Sequence, residues 1–172
     1  VGAGLTKKGK ALVRACNELR ILVDLSHLNE KGFWDVAKIS DAPLVATHSN
    51  AYALCASPRN LTDKQLDAIK ETNGMVGMKF PIWILREDGR VQEETSLTEI
   101  GRHLAYIADR IGVEHVGFGS DFDGATMPHD LVDVTGLPKL MAALRQHGFD
   151  DAALKKITHE NWVRVLHKTW GK

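Results

Sequence analysis

Short apolar runs alternate with longer amphipathic segments along the chain. Ile21-Leu22-Val23-Asp24-Leu25, Leu44-Val45-Ala46-Thr47, Met75-Val76-Gly77-Met78 and His115-Val116-Gly117-Phe118-Gly119 are short and largely aliphatic. Runs of that kind predict parallel strands buried on both faces. The segments between them carry helix signals. Thr62 and Gln65 stand at capping-box spacing, Leu61 and Leu66 at the positions of a hydrophobic staple, and Asn73-Gly74 marks a stop. Ser96 and Glu99 repeat the box ahead of an apolar stripe of Ile100, Leu104, Ile107 and Ala108, which ends near Gly112. Asp150 is placed to cap a final helix, with Phe149 and Leu154 at staple spacing. Further helices are expected near 7–19 and 33–39. The chain shows no internal repeat, linker or low-complexity tract.

Strands alternating with helices imply βαβ units and an α/β fold on a parallel sheet of about four strands. A complete (β/α)8 barrel takes about 250 residues. A chain of 172 residues therefore fits a small doubly wound sheet or about half of such a barrel. In both, ligands bind beyond the carboxyl ends of the strands. Those ends read Asp24-Leu25-Ser26-His27, Thr47-His48-Ser49-Asn50 and Gly119-Ser120-Asp121-Phe122-Asp123-Gly124.

Imidazole and carboxylate suit zinc. Zinc makes a bound water acidic near neutral pH, and a neighbouring aspartate can carry the proton. A single strand-end histidine is more often structural, whereas His27 and His48 on separate strand ends favour a metal. His103, His129, His147, His159 and His167 fall in helical or loop patterns and are expected on solvated faces or at helix ends. His115 begins a strand, the wrong end for catalysis. Arg59, in Ser57-Pro58-Arg59-Asn60, is either a surface-loop arginine or a bidentate carboxylate clamp.

Composition narrows the function classes. Hydrophobic residues make up 44% and charged residues 26%, which excludes a disordered chain. Lys and Arg number 22 against 22 Asp and Glu, so no net charge draws the chain to nucleic acid or an anionic membrane. No apolar run approaches the roughly 20 residues of a membrane span. Two cysteines, Cys16 and Cys55, cannot staple a secreted mini-protein. No GxGxxG fingerprint or P-loop occurs. The first residue is Val1 rather than Met, with no leader pattern. The expectation is a processed chain or a fragment. No compartment follows, with the cytoplasm as the default for a bacterial protein.

Four collinear stretches carry a resemblance. Val23-Asp24-Leu25-Ser26-His27, Thr47-His48-Ser49-Asn50-Ala51, Pro58-Arg59-Asn60-Leu61-Thr62-Asp63 and Val116-Gly117-Phe118-Gly119-Ser120-Asp121-Phe122-Asp123-Gly124 closely resemble the carboxyl-terminal half of the membrane dipeptidase (renal dipeptidase) family, peptidase family M19. The opening Gly4-Leu5-Thr6 and the closing Glu160-Asn161-Trp162-x-Arg164-Val165-Leu166 are similar to it as well, so the likeness spans essentially the whole chain. Arg20 stands where a glycine is common before the strand.

The resemblance implies a (β/α)8 barrel and a dinuclear zinc enzyme that hydrolyses the peptide bond of dipeptides with a metal-activated water. His27 and His48 would ligate one zinc, Arg59 would hold the substrate carboxylate, and Asp121 would transfer protons. Asp123 would be a turn residue. The family's His-x-Asp metal pair, bridging glutamate and further substrate-contacting histidine belong to an amino-terminal half that these residues do not include. Residues 1–172 are thus expected to be a single half-barrel segment, inactive alone, with at most partial zinc occupancy. Its expected partners are the missing half or another copy of the chain, as a homo-oligomer, besides a dipeptide substrate. A membrane would be met only through an anchor outside the chain. Half a barrel is also expected to display Val23, Val45 and Val76 to water. Two alternatives stand beside this reading. One is a mononuclear hydrolase using His27, His48 and Asp121 alone. The other is a degenerate half-barrel that serves as a metal-binding or assembly piece.

Overall fold

A computed structural model describes residues 2–171; Val1 and Lys172 lie outside the described residues. Three parallel strands, β1 (Val45–Ala46), β2 (Met75–Met78) and β3 (Val116–Phe118), pair in sequence order. Val45 lies beside Met75, and Val76 beside Val116. The helices are α1 (Lys7–Leu19), α2 (Glu30–Ala37), α3 (Asp63–Glu71), α4 (Leu97–Ile111), α5 (Leu137–Gln146), α6 (Asp151–Lys155) and α7 (Asn161–Trp170). None is long and apolar enough to cross a membrane.

The strand expected over 21–25 shrinks to one parallel bridge, Asp24 beside Val45. Arg20 ends α1 at φ 56°, in the left-handed region that glycine occupies without steric cost. The Ile21 N–H then bonds back to the Cys16 carbonyl. The chain thus leaves α1 through a helix-ending turn and meets the sheet only where the Leu25 N–H reaches the Val45 carbonyl, at 2.9 Å.

Helix starts follow their caps. Asn29 caps α2 by accepting from the Gly32 N–H at 2.7 Å, so this helix begins at Glu30, earlier than the apolar pattern suggests. The Gln65 side chain accepts from the Thr62 N–H at 2.8 Å, as the box spacing implies. The second box does not close. Ser96 caps the Thr98 N–H, and Glu99 pairs with Arg102 at 2.9 Å. Helix α5 gives no such warning in the sequence, because Gly136 at its N-cap offers no side chain and Pro138 stands in its first turn. The expected final helix divides into α6 and α7 around a π-helical turn over Lys156–Glu160, where the Thr158 hydroxyl donates to the Leu154 carbonyl.

Both strand faces are covered. Ala46, Val76 and Val116 join the main core with Leu66 and Ile69 of α3 and Ile100, Leu104 and Ile107 of α4. Val45 and Met75, alternating with them, pack instead on Val165 of α7, flanked by Leu22 and Trp162. Val45 and Val76 are fully buried, against the expectation of a bare inner face; Val23 is half-buried. Polar side chains hold α7 in place. Asn161 donates to the Val113 and Val116 carbonyls at 2.8 and 2.7 Å. Arg164 donates to the Gly74 and Glu114 carbonyls at 3.1 and 2.7 Å. These carbonyls mark the amino ends of β2 and β3.

His103 of α4 is fully buried rather than on a solvated face. Its Nδ1 accepts from the Ala51 N–H at 3.2 Å, and its Nε2 lies 2.9 Å from the Leu85 carbonyl. Accepting at Nδ1 leaves the proton on Nε2, so the ring is a neutral cross-link. Burial lowers its pKa from 6.5 to about 4. The unfolded chain therefore binds the proton first. This contribution to stability is complete above pH 6.5 and is lost as the pH falls toward 4. We expect urea unfolding to show a loss of roughly 3 kcal/mol across that window, reduced in His103→Gln. An unchanged pH dependence in the variant would remove His103 as the cause.

Candidate active site

The carboxyl ends of the strands crowd together. A Cβ at Gly77 or Gly119 would overlap the Thr47 carbonyl oxygen, so only glycine lets the three backbones approach this closely. Around this point backbone pairing thins to single hydrogen bonds such as that of the Ser49 N–H with the Gly77 carbonyl, and side chains satisfy other groups. Asp24 Oδ1 accepts from the Ser26 and Thr47 N–H groups, both at 2.9 Å. The Ser26 hydroxyl accepts from the His48 N–H at 2.9 Å.

These bonds also orient His48. The Thr47 hydroxyl donates to Asp24 Oδ2 at 2.6 Å. Having spent its proton there, it accepts from His48 Nδ1, also at 2.6 Å. The Nε2 lone pair of His48 is left free. His27 follows the isolated bridge at Asp24 and stands at φ 72°, in the left-handed region, with its ring beside that of His48. The two ring centroids are 5.0 Å apart, with planes tilted by 58°. Burial lowers the pKa of His48 despite the opposing charges of Asp24 and Asp121. Burial, then the cations of Arg59 and Lys79, lowers that of His27. Both rings are therefore held in the neutral form that can ligate a metal.

Asp121 follows β3 and is again left-handed, at φ 58°. Its Oδ2 lies 2.8 Å from the ammonium of Lys79, which follows β2. Burial alone would raise the Asp121 carboxyl, but the Lys79 hydrogen bond and charge outweigh it and hold it below the usual carboxylate value. The charge of Asp121 acts on both His27 and His48. Asp123, at φ 63°, occupies the turn beyond.

Arg59 comes from the loop ahead of α3. Asn60 anchors that loop by donating to the Cys55 and Ile84 carbonyls at 2.9 and 3.0 Å. The Leu61 N–H reaches the Asn50 carbonyl at 2.7 Å, tying the loop to the segment that carries His48. Arg59 and His27 share the wall of a cavity of about 350 Å³, which Phe33, Tyr52 and Leu61 also line. Nε and Nη2 of Arg59 are buried without hydrogen-bond partners. His48 and Asp121 are not part of this cavity's wall.

The strand-end pattern thus finds His27, His48 and Asp121 in one neighbourhood, with Arg59 beside His27. It misses three residues. Lys79 follows the one strand end at which no imidazole or carboxylate draws notice. Asp24 and Thr47 stand in the strand-end motifs, but their link to His48 depends on side-chain geometry. Among the described residues no group of three or more His, Cys, Asp and Glu side chains could hold a metal ion.

The sequence profile of the membrane dipeptidase family, peptidase family M19, matches residues 1–170. The chain belongs to this family. The chain is 51% identical over 169 residues to a Klebsiella pneumoniae protein described as the uncharacterized protein in the pqqA 5'region, covering 98% of the chain and 62% of that protein. The dipeptidase tcpJ of Claviceps purpurea is 37% identical, over 96% of the chain and 38% of its own length. Among solved structures, the metallo peptidase of Rhodobacter sphaeroides, liganded with a phosphinate mimic of the dipeptide L-Ala-D-Ala, superposes with a TM-score of 0.97 at 58% identity. The match covers 99% of this chain and 48% of that one. The dipeptidase AC, a metallo peptidase of family M19, gives 0.98 at 57% identity over 100% and 51%. The chain therefore spans between about a third and two thirds of the curated relatives it matches and about half of these structures.

Two buried, unpartnered nitrogens make Arg59 a cost to the fold in the absence of an anion. Arg59→Met keeps the packing stem and removes those donors. We expect it to leave stability unchanged or raise it by about 1 kcal/mol in urea unfolding without substrate. A clear loss of stability would mean that the guanidinium serves the fold.

Proposed function

We propose that the protein is a zinc-dependent dipeptidase and that these residues form the carboxyl-terminal half of its (β/α)8 barrel. The observation that carries the reading is the Arg59 guanidinium. Its two buried, unpartnered nitrogens await an anion beside a cavity that His27 shares, and a dipeptide ends in a carboxylate. Family membership supports the reading, as does the dipeptide mimic held by the Rhodobacter sphaeroides relative.

The donor set fits part of a zinc shell. His27 and His48 are neutral imidazoles whose rings face one another across a short gap. A catalytic zinc takes three protein ligands. The remaining ligands, for one zinc and for a second, are assigned to chain beyond these residues or to a partner copy in a homo-oligomer. The segment alone is then expected to hold zinc only in part. When bound, zinc supplies Lewis acidity toward the peptide carbonyl and acidifies a water.

The chain's own residues do the rest. Arg59 grips the substrate carboxylate and fixes the peptide bond relative to the imidazoles. The Asp24–Thr47 relay keeps the proton of His48 on Nδ1 and its Nε2 free. Asp121, held as a carboxylate, accepts a proton from the attacking water at Oδ1 while Lys79 occupies Oδ2. It then returns that proton to the leaving amine. A second reading is a half-barrel that binds metal or assembles without activity of its own.

The test uses the protein expressed from its complete reading frame. Asp121→Asn should lower kcat on dipeptides by about 10²–10⁴-fold with zinc content unchanged, since general acid–base groups contribute on that order. Arg59→Met should raise KM for a dipeptide with a free carboxylate and leave an amidated one little affected. Equal losses on both substrates would count against the clamp. Elemental analysis should show less zinc in His48→Ala than in the wild type. Full zinc content in that variant would displace His48 from the metal.

A further inference from the structure

We propose that Lys79 is a positioning residue that fixes the carboxylate of Asp121 for proton transfer, an inference that rests on the assignment of Asp121 given above. Lysines normally carry their ammonium out to water along a flexible stem. Lys79 does not. Its side chain is 3% exposed, and its ammonium lies 2.8 Å from Asp121 Oδ2 and 4.9 Å from the ring centroid of Trp83. Of the two bases brought to the strand ends, Arg59 keeps free donors while Lys79 is committed to an internal acid.

The backbone of Lys79 is fixed from the segment that follows the neighbouring strand, β1. Its N–H donates to Asn50 Oδ1 at 2.8 Å, and its carbonyl accepts from Asn50 Nδ2 at 3.0 Å, both bonds buried. Asn50 stands two residues beyond His48, so Lys79 is placed relative to the imidazole that Asp121 must serve. Two contacts flanking the ion pair tie the loop of Asp121 to the segment that follows β2. The Phe80 N–H bonds the Ser120 carbonyl at 3.3 Å, and the Phe80 ring meets that of Phe122 edge-on at 5.8 Å. Asp121 itself is in the left-handed region, which disfavours any side chain with a Cβ and so needs tertiary contacts to persist. The ion pair supplies one of those contacts at the carboxylate itself. With Oδ2 engaged, Oδ1 is the oxygen available to the substrate, and the ion pair restrains rotation about the Cβ–Cγ bond.

A structural role for the pair would show differently. Removing one partner of a buried pair is costly where the other charge is left dry, but the Asp121 side chain is 28% exposed and keeps water on its charge without Lys79. A displacement of about 1 Å in a catalytic group, by contrast, can cost about 10²-fold in rate. In the zinc-loaded protein from the complete reading frame, Lys79→Met should lower kcat about 10²-fold, with KM within about twofold and zinc content unchanged. The double variant Lys79→Met/Asp121→Asn should be no slower than Asp121→Asn alone, because Lys79 acts through Asp121. A crystal structure of Lys79→Met should show the Asp121 carboxylate rotated from its wild-type orientation. Lys79→Gln gives the same test if Lys79→Met does not fold. Wild-type kcat in Lys79→Met beside a slow Asp121→Asn would overturn the positioning role and leave Asp121 as the acid–base group. Losses that multiply in the double variant would also overturn it, since Lys79 would then act on its own. A wild-type rate in Asp121→Asn would remove the underlying assignment and the inference with it.

Discussion

Parallel strands that stop together leave backbone donors and acceptors with no ladder to join, and buried groups of that kind must be satisfied. Here Asp24, Ser26 and Asn50 satisfy them. Asp24 takes the Ser26 and Thr47 N–H groups, Ser26 takes that of His48, and Asn50 takes the Lys79 N–H while donating to its carbonyl. The same bonds aim His48 and place Lys79. The need to terminate the sheet and the need to build a site are thus met by one set of side chains. The close approach that makes this possible depends on Gly77 and Gly119, where a side chain would strike the Thr47 carbonyl.

The two ends of the sheet are specialised. At the amino ends of β2 and β3, Asn161 and Arg164 of α7 bind the carbonyls, and α7 covers the strand face that carries Val45 and Met75. That end is closed by polar bonds over an apolar contact. At the other end, a cavity lined by His27, Ser49 and Arg59 lies beside the carboxyl end of β1. His103 of α4 links the loop after His48 to the Leu85 carbonyl, a buried polar contact that ties both segments to α4.

Charge at the carboxyl ends is divided by partner. Asp24 is engaged by backbone N–H groups and the Thr47 hydroxyl, and Asp121 by Lys79. Burial keeps both imidazoles neutral. Arg59, with donors to spare, is the natural seat for an anion in this neighbourhood. With these acids committed, the free Arg59 donors are what the proposed carboxylate clamp rests on.

The alternation of apolar runs with capped amphipathic segments determined the α/β class. It also put His27, His48 and Asp121 at strand ends, because a parallel sheet delivers whatever follows each run to the same edge. Local signals set the Thr62 cap and the start of the Asp150 helix, since those bonds span three residues. Tertiary structure decided the rest. The first strand gave way to a single bridge because the turn at Arg20 sends the Ile21 N–H back into α1. Val45 was buried by α7, whose residues lie far along the chain. His103, polar in a helical pattern, was drawn fully inside by partners on two distant loops. Lys79 became part of the site only through Asn50 and Asp121, each from a different strand end. Such bonds join residues remote in sequence, and their geometry is fixed only when the backbone has closed around them.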